Sequence, residues 1–242
     1  ACLLALGCAK SAEDLYKDGL VELEAGRIDI AQQRLEAAVE KDPSMTGAYK
    51  HLARIYEIQK MPDKVTETLE AWARQVPYRS EIRANLAQQY IRQGRMDEAA
   101  ELYEELASSA LNEKERKTYR RMLDGLKRSM DRREQAQGLT AQLAADPKNV
   151  TAALELGQLF FDSGQRLTIS GQKNTGQEYL NRSMGLFEQV RAQSSRQLEQ
   201  EPAAASAKIN LASAYFGIAG HYLFTTEAEK AEEYLNKARE AN

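Results

Sequence analysis

Residues 12–45 read AEDLYKDGLVELEAGRIDIAQQRLEAAVEKDPSM, and the next two blocks, 46–79 (TGAYKHLARIYEIQKMPDKVTETLEAWARQVPYR) and 80–113 (SEIRANLAQQYIRQGRMDEAAELYEELASSALNE), repeat the same pattern at a 34-residue step. Counting each block from 1, Leu15, Gly19, Gly26, Ile28, Ala31, Leu35, Ala38 and Pro43 hold positions 4, 8, 15, 17, 20, 24, 27 and 32 of the first. Tyr49, Leu52, Ala53, Tyr56, Val65, Leu69, Trp72 and Pro77 hold 4, 7, 8, 11, 20, 24, 27 and 32 of the second. In the third, Leu86, Ala87, Tyr90, Gly94, Met96, Ala99, Tyr103 and Leu106 hold 7, 8, 11, 15, 17, 20, 24 and 27. Apolar residues recur at i, i+3, i+4 and i+7 rather than alternating, which predicts helix almost throughout, and two consecutive equal steps mark a repeat array.

The side-chain sizes say how the helices meet. Small residues at positions 8 and 20 (Gly19 with Ala31, Ala53 with Val65, Ala87 with Ala99) let two helices approach closely, while large groups at 4, 7, 11 and 24 fill the space between neighbouring pairs. Gly26 and Gly94 suit the turn inside a pair, and Pro43 and Pro77 suit the end of its second helix. Val65 and Trp72 are bulky for their positions. This pattern resembles the tetratricopeptide repeat, which implies hairpins of a helix A and a helix B stacked as an all-α, right-handed superhelix of about six hairpins.

Beyond residue 111 the pattern loosens. Residues 112–149 form a basic stretch whose Tyr119, Met122, Leu123, Leu126, Leu139 and Leu143 fit a degenerate hairpin if two residues are inserted. Residues 150–202 read as a hairpin with Leu156, Gly157 and Phe160 on helix A and Leu180, Leu186, Phe187 and Val190 on helix B, separated by a polar insertion, Gln165 to Gln177, read as an extended helix end plus loop. Residues 203–242 supply a last hairpin, with Leu211, Ala212 and Tyr215 on helix A and Ala231, Leu235 and Ala238 on helix B. With no solvating helix after it, that hairpin is expected to leave Leu235 half exposed, which points to a partner, a second copy or a truncated chain.

Of the 242 residues, 33 are Lys or Arg and 36 Asp or Glu, so a net charge of −3 gives no whole-molecule attraction to nucleic acid. The two cysteines, Cys2 and Cys8, both precede the repeats (residues 1–11 read as a tether), which excludes a disulfide framework or a Cys-based zinc site in the body. Ala5-Leu6-Gly7-Cys8 resembles a bacterial lipobox, although Ala5 and Leu6 depart from its preferred residues. The resemblance implies lipidation of Cys8 and a place at the outer membrane facing the periplasm; a cytoplasmic chain with two ordinary thiols is the alternative.

The sequence carries no His-Glu-x-x-His and no Gly-x-Ser-x-Gly, so no catalytic residue, cofactor or metal is assigned. Gly171 and Gly176 have phosphate-loop spacing, but Gln177 and Glu178 stand where Lys and Ser or Thr belong. His51 reads as a surface or groove residue and His221 as packing. The basic band of Arg120, Arg121, Lys127, Arg128, Arg132 and Arg133 suits a solvated face or anionic lipid headgroups better than nucleic acid, since aromatics do not alternate with it.

The tetratricopeptide resemblance further implies a partner protein or peptide in the concave face of the A helices. Its positions there include Tyr16 and Leu20 of the first repeat, Lys50, Arg54 and Glu57 of the second, and Gln88 and Arg92 of the third. The set used by relatives that clamp a terminal carboxylate is not met from the first repeat, where Tyr16, Leu20, Arg54, Glu81 and Asn85 stand. Shifted by one repeat it becomes Lys50, Arg54, Gln88, Lys117 and Arg121, basic and amide groups able to receive a carboxylate; solvated charges on helix A are the bland alternative. Self-association through the last hairpin, and a small ligand enclosed near Phe160, Phe161 and Phe187, are rival readings.

Overall fold

The computed structural model describes residues 10–241, so Cys8 and its lipobox lie outside the described residues. Among those residues the chain is all-α: α1 (Ala12–Glu24), α2 (Ile28–Lys41), α3 (Thr46–Ile58), α4 (Pro62–Gln75), α5 (Ser80–Arg92), α6 (Met96–Ser109), α7 (Glu113–Ala145), α8 (Val150–Ile169), α9 (Lys173–Gln200), α10 (Ala205–Phe224) and α11 (Ala228–Ala241). They pack as helical hairpins in two compact units, one ending at Arg128 and the other starting at Ser129.

Five hairpins close in the same way. The second residue after each helix A takes a left-handed conformation: Gly26 (φ 73°), Lys60 (57°), Gly94 (78°), Gly171 (91°) and Thr226 (65°). The next amide then reaches back to satisfy a late carbonyl of helix A: Arg27 to Glu22, Met61 to Tyr56, Arg95 to Tyr90, Gln172 to Leu167 and Glu227 to Tyr222, at 2.8–2.9 Å. Pro43, Pro77, Pro147 and Pro202 each follow the end of a helix, and Pro62 opens α4 at a position where a missing N–H leaves nothing unpaired. Ser11 and Asp14 cap α1 reciprocally, and the Asn149 side chain accepts the Ala152 amide at the start of α8.

In the first unit α1–α6 pack as three consecutive hairpins. Leu35, Ile55, Ile82 and Leu106 are fully buried between them, and a Cβ on Gly19 would fall 2.8 Å from Leu35 Cγ. One polar contact recurs between repeats. Tyr56 donates to Glu36 and Tyr90 to Glu70, each joining position 11 of one repeat to position 25 of the repeat before. Burial, reinforced by the acceptor carboxylate, raises both phenols, Tyr90 to about 12.

Two parts differ from the sequence expectation. Residues 113–145 are one continuous helix of 33 residues, so the hairpin expected over 112–149 does not form, and five hairpins and a long single helix stand where about six hairpins were expected. At the place where a turn would fall, Arg128-Ser129-Met130-Asp131 offers neither Gly nor Pro, and helix formers surround it. The insertion Gln165–Gln177 is almost all helix: only Ser170–Gln172 turn, and the added residues lengthen α8 and α9 to 20 and 28 residues.

In the second unit α8, α9, α10 and α11 pack in sequence, with α10 also against α8. Phe187 of α9 lies between Gly157 of α8 and Gly217 of α10, whose added Cβ atoms would fall 3.0 and 2.6 Å from its ring. Beside it sits His221, 5% exposed, with ring centroids 4.7 Å from Phe161 and 6.2 Å from Phe187. The Ser183 hydroxyl donates to the Gly157 carbonyl at 2.7 Å, so its single proton is used and the His221 Nε2–H at 3.1 Å donates to Ser183. Burial lowers the imidazole pKa to about 4. Leu235 is half-buried.

Candidate functional site

Helices α3 and α5, the A helices of consecutive repeats, wall a cleft of about 650 Å³ in the first unit. Its floor is buried and mostly apolar: Ala53 of α3, Val65, Leu69 and Trp72 of α4, and Ile82 of α5. The bulk noted at positions 20 and 27 of the second repeat is thus spent here. Gln89 completes the floor and donates to the Pro62 carbonyl at 3.2 Å, holding α5 to the start of α4. The Trp72 indole N–H is buried and has no acceptor among the described residues.

The rim is exposed and charged. Lys50 and Arg54 stand on α3, Arg92 on α5 and Arg79 in the connection before α5, against two carboxylates, Glu57 and Glu81. Arg54 meets Glu57 at 3.2 Å, a pair that is mostly solvated and contributes under about 1 kcal/mol. The Arg92 guanidinium lies 3.4 Å from Gln89 Oε1, which aims it along the cleft wall. Asn85 and Gln88 supply amides on the same wall. An apolar floor under a cationic rim suits a segment with apolar side chains and acidic neighbours.

Of the nine groove positions taken from the sequence, the cleft brings together Lys50, Arg54, Glu57, Gln88 and Arg92. Tyr16 turns into the core, with its hydroxyl against Gly47 and its ring 6.2 Å from half-buried His51, whose pKa burial lowers. Leu20 is half-buried on α1. Lys117 and Arg121 are exposed on α7 and do not line the cleft, and Lys117 faces Glu113 at 3.8 Å. The shifted set of five is therefore not assembled as a unit, because the repeat register does not carry into α7. Trp72 and Arg79 were not among those positions: one belongs to helix B and the other to the connection between repeats. Phe161 and Phe187, expected near an enclosed ligand, are instead packed around His221.

A model of the tetratricopeptide repeat family matches residues 16–79. No curated protein matches the chain. Among solved structures, the P58(IPK) TPR domain is 15% identical with a TM-score of 0.42, covering 95% of this chain and 98% of its own. PilF of Pseudomonas aeruginosa is 20% identical with a TM-score of 0.39, covering 89% and 97%. YrrB, described as a TPR protein with an unusual peptide-binding site, is 16% identical with a TM-score of 0.34, covering 96% and 87%.

Proposed function

We propose that this chain, which carries tetratricopeptide repeats over residues 16–79, is a non-catalytic scaffold that holds an acidic peptide or partner segment in the cleft between α3 and α5. Such repeats are in general a protein-interaction fold, and the cleft is the observation that carries the finer reading. Its rim presents Lys50, Arg54, Arg79 and Arg92 against two carboxylates, above Val65, Leu69 and Trp72. Charge on the rim speeds encounter and orients the partner, and the buried floor supplies affinity.

Lys50→Glu together with Arg54→Glu tests this. Both side chains are exposed, so the thermal melt stays unchanged. Partner capture from the native host falls by at least about tenfold. An unchanged set of captured proteins removes the cleft from the reading.

The setting belongs to the same proposal. Cys8, in its lipobox-like context, anchors the scaffold at a bacterial outer membrane, where it serves envelope assembly or transport complexes. Cys8→Ala then moves the protein from the membrane to the soluble fraction; retention in the membrane contradicts the anchor.

Self-association is a second reading favoured by one feature. Ile209, Phe216 and Leu223, seven residues apart on α10, are 57%, 55% and 57% exposed and form a stripe on the face away from the core. Sedimentation equilibrium of the native chain and of Phe216→Asp separates a dimer from a monomer.

A further inference from the structure

The second unit contains a cleft of about 830 Å³ that the scaffold reading does not use. One wall is α7, through Ser129, Arg132, Arg133, Gln137 and Thr140 and the small Ala136, Ala141 and Ala144. The other is the later part of α8, with Leu159, Phe160, Arg166 and Leu167, and Tyr179 and Arg182 of α9 close it. Its origin is visible in the sequence. Leu139 and Leu143 of α7 pack with Ala152, Leu156 and Phe160, but α8 runs to 20 residues where the A helices of the first unit have 13. The added turns pass a part of α7 where, between Leu126 and Leu139, Met130 is the one large apolar residue. Between these helices no large side chain of α7 reaches across, and a cleft results.

The lining is chemically lopsided. Four guanidiniums face the cleft and no carboxylate does. Arg133, Arg166 and Arg182 form no ion pair among the described residues; Arg166 reaches only the Ser163 hydroxyl, at 3.2 Å. Like charges gathered on one concave wall repel, and an anion relieves that repulsion. Apart from Ser129, Gln137, Thr140, Ser163 and Ser170, the remaining surface is apolar, with Phe160 and Tyr179 edge to face at 5.5 Å between ring centroids. An inorganic anion leaves this apolar surface wet. A peptide lays some of its backbone amides against Leu159, Leu167 and the alanines, which cannot pair with them. The volume is that of a small-molecule site.

We propose that this cleft binds a small amphipathic anion, its acidic group on the arginines and its aliphatic or aromatic body against Leu159, Phe160, Leu167 and Tyr179. Carboxylates and alkyl phosphates share this chemistry.

Titration calorimetry of the full chain with laurate and with dodecyl phosphate, both below their micellar range, tests the assignment, and the tighter of the two identifies the headgroup. The expected result is one equivalent bound, weakened by about tenfold or more in Arg166→Gln/Arg182→Gln. Ala141→Trp, which fills the cleft from an exposed position, abolishes binding, and circular dichroism shows both variants folded. Equal affinity for dodecyltrimethylammonium, equal affinity for inorganic phosphate, displacement of laurate by a polyglutamate peptide, unaltered binding to the double variant, or no binding of either anion each overturns it. The site shares no residue with the α3–α5 cleft, so neither result decides the other.

Discussion

Acidification should destabilise the second unit through one residue, His221. Its imidazole is buried against Phe161 and Phe187, donates through Nε2 to Ser183 and is held near pKa 4 in the fold, against an ordinary value of 6.5. The unfolded chain thus binds a proton that the native state refuses between these two values. Stability is intact above pH 6.5, falls as pH drops through the window, and reaches its full loss below pH 4. The difference corresponds to roughly 3 kcal/mol, a large part of the stability of a unit this size. Carboxylates titrate over the same range, so the informative quantity is a comparison with His221→Leu, which cannot take up the proton. The chain's single tryptophan, Trp72, lies in the first unit, so fluorescence does not report on this event. Hydrogen exchange of the α10 amides, read by mass spectrometry from pH 7 to pH 4, does. The wild-type opening free energy should drop by about 3 kcal/mol more than that of His221→Leu. Parallel curves for the two proteins would refute the assignment of a neutral, desolvated imidazole.

Further predictions follow from backbone geometry and the repeated tyrosines. A Cβ on Gly176 would fall 2.8 Å from the Thr168 amide nitrogen and 2.9 Å from the Gly164 carbonyl oxygen, so Gly176→Ala should cost about 1–3 kcal/mol in urea unfolding. Gly185→Ala, in open space on the same helix, should stabilise by about 0.5–1 kcal/mol, and equal effects of the two would discount the close approach. Thr226 adopts φ 65° with a branched side chain, so Thr226→Gly should raise stability by about 0.5–1 kcal/mol. Tyr90→Phe should cost about 1 kcal/mol by removing the hydrogen bond to Glu70. Because the folded phenol is raised to about 12 from 10.0, its contribution is full below pH 10 and disappears as pH climbs through 12, a loss that the Phe variant should not show.

The first unit was legible in the sequence because each repeat marks its own small contacts and turns, and burial follows those marks at Ala31, Ala53, Ala87 and Ala99. Legibility stopped where position ceased to carry conformation. Nothing in residues 128–131 distinguishes a turn from a helix formed of good helix residues, and the helix forms. The polar residues between Gln165 and Gln177 read as an extended helix end plus loop, yet the loop is only Ser170–Gln172, and Gly164 and Gly176 are helical contacts where α8 and α9 nearly touch. At the candidate site, repeat positions on the A helices led to Lys50, Arg54, Glu57, Gln88 and Arg92, but a rule confined to those helices is blind to Trp72 below them and Arg79 between them. The arginine-lined cleft was hidden for a stronger reason. Arg133, Arg166 and Arg182 come from three helices, and only the unexpected length of α7 and α8 brings them together.

Trp72 makes the cleft between α3 and α5 directly observable. Random peptides selected on the wild-type chain, with the tightest then titrated against tryptophan emission, test whether that cleft is where the scaffold docks its partner. The selected sequence should be rich in Asp and Glu, should change Trp72 emission saturably, and should lose at least about tenfold in affinity with Lys50→Glu/Arg54→Glu. A peptide that leaves Trp72 emission unchanged and binds the double variant as tightly as the native chain would contradict it.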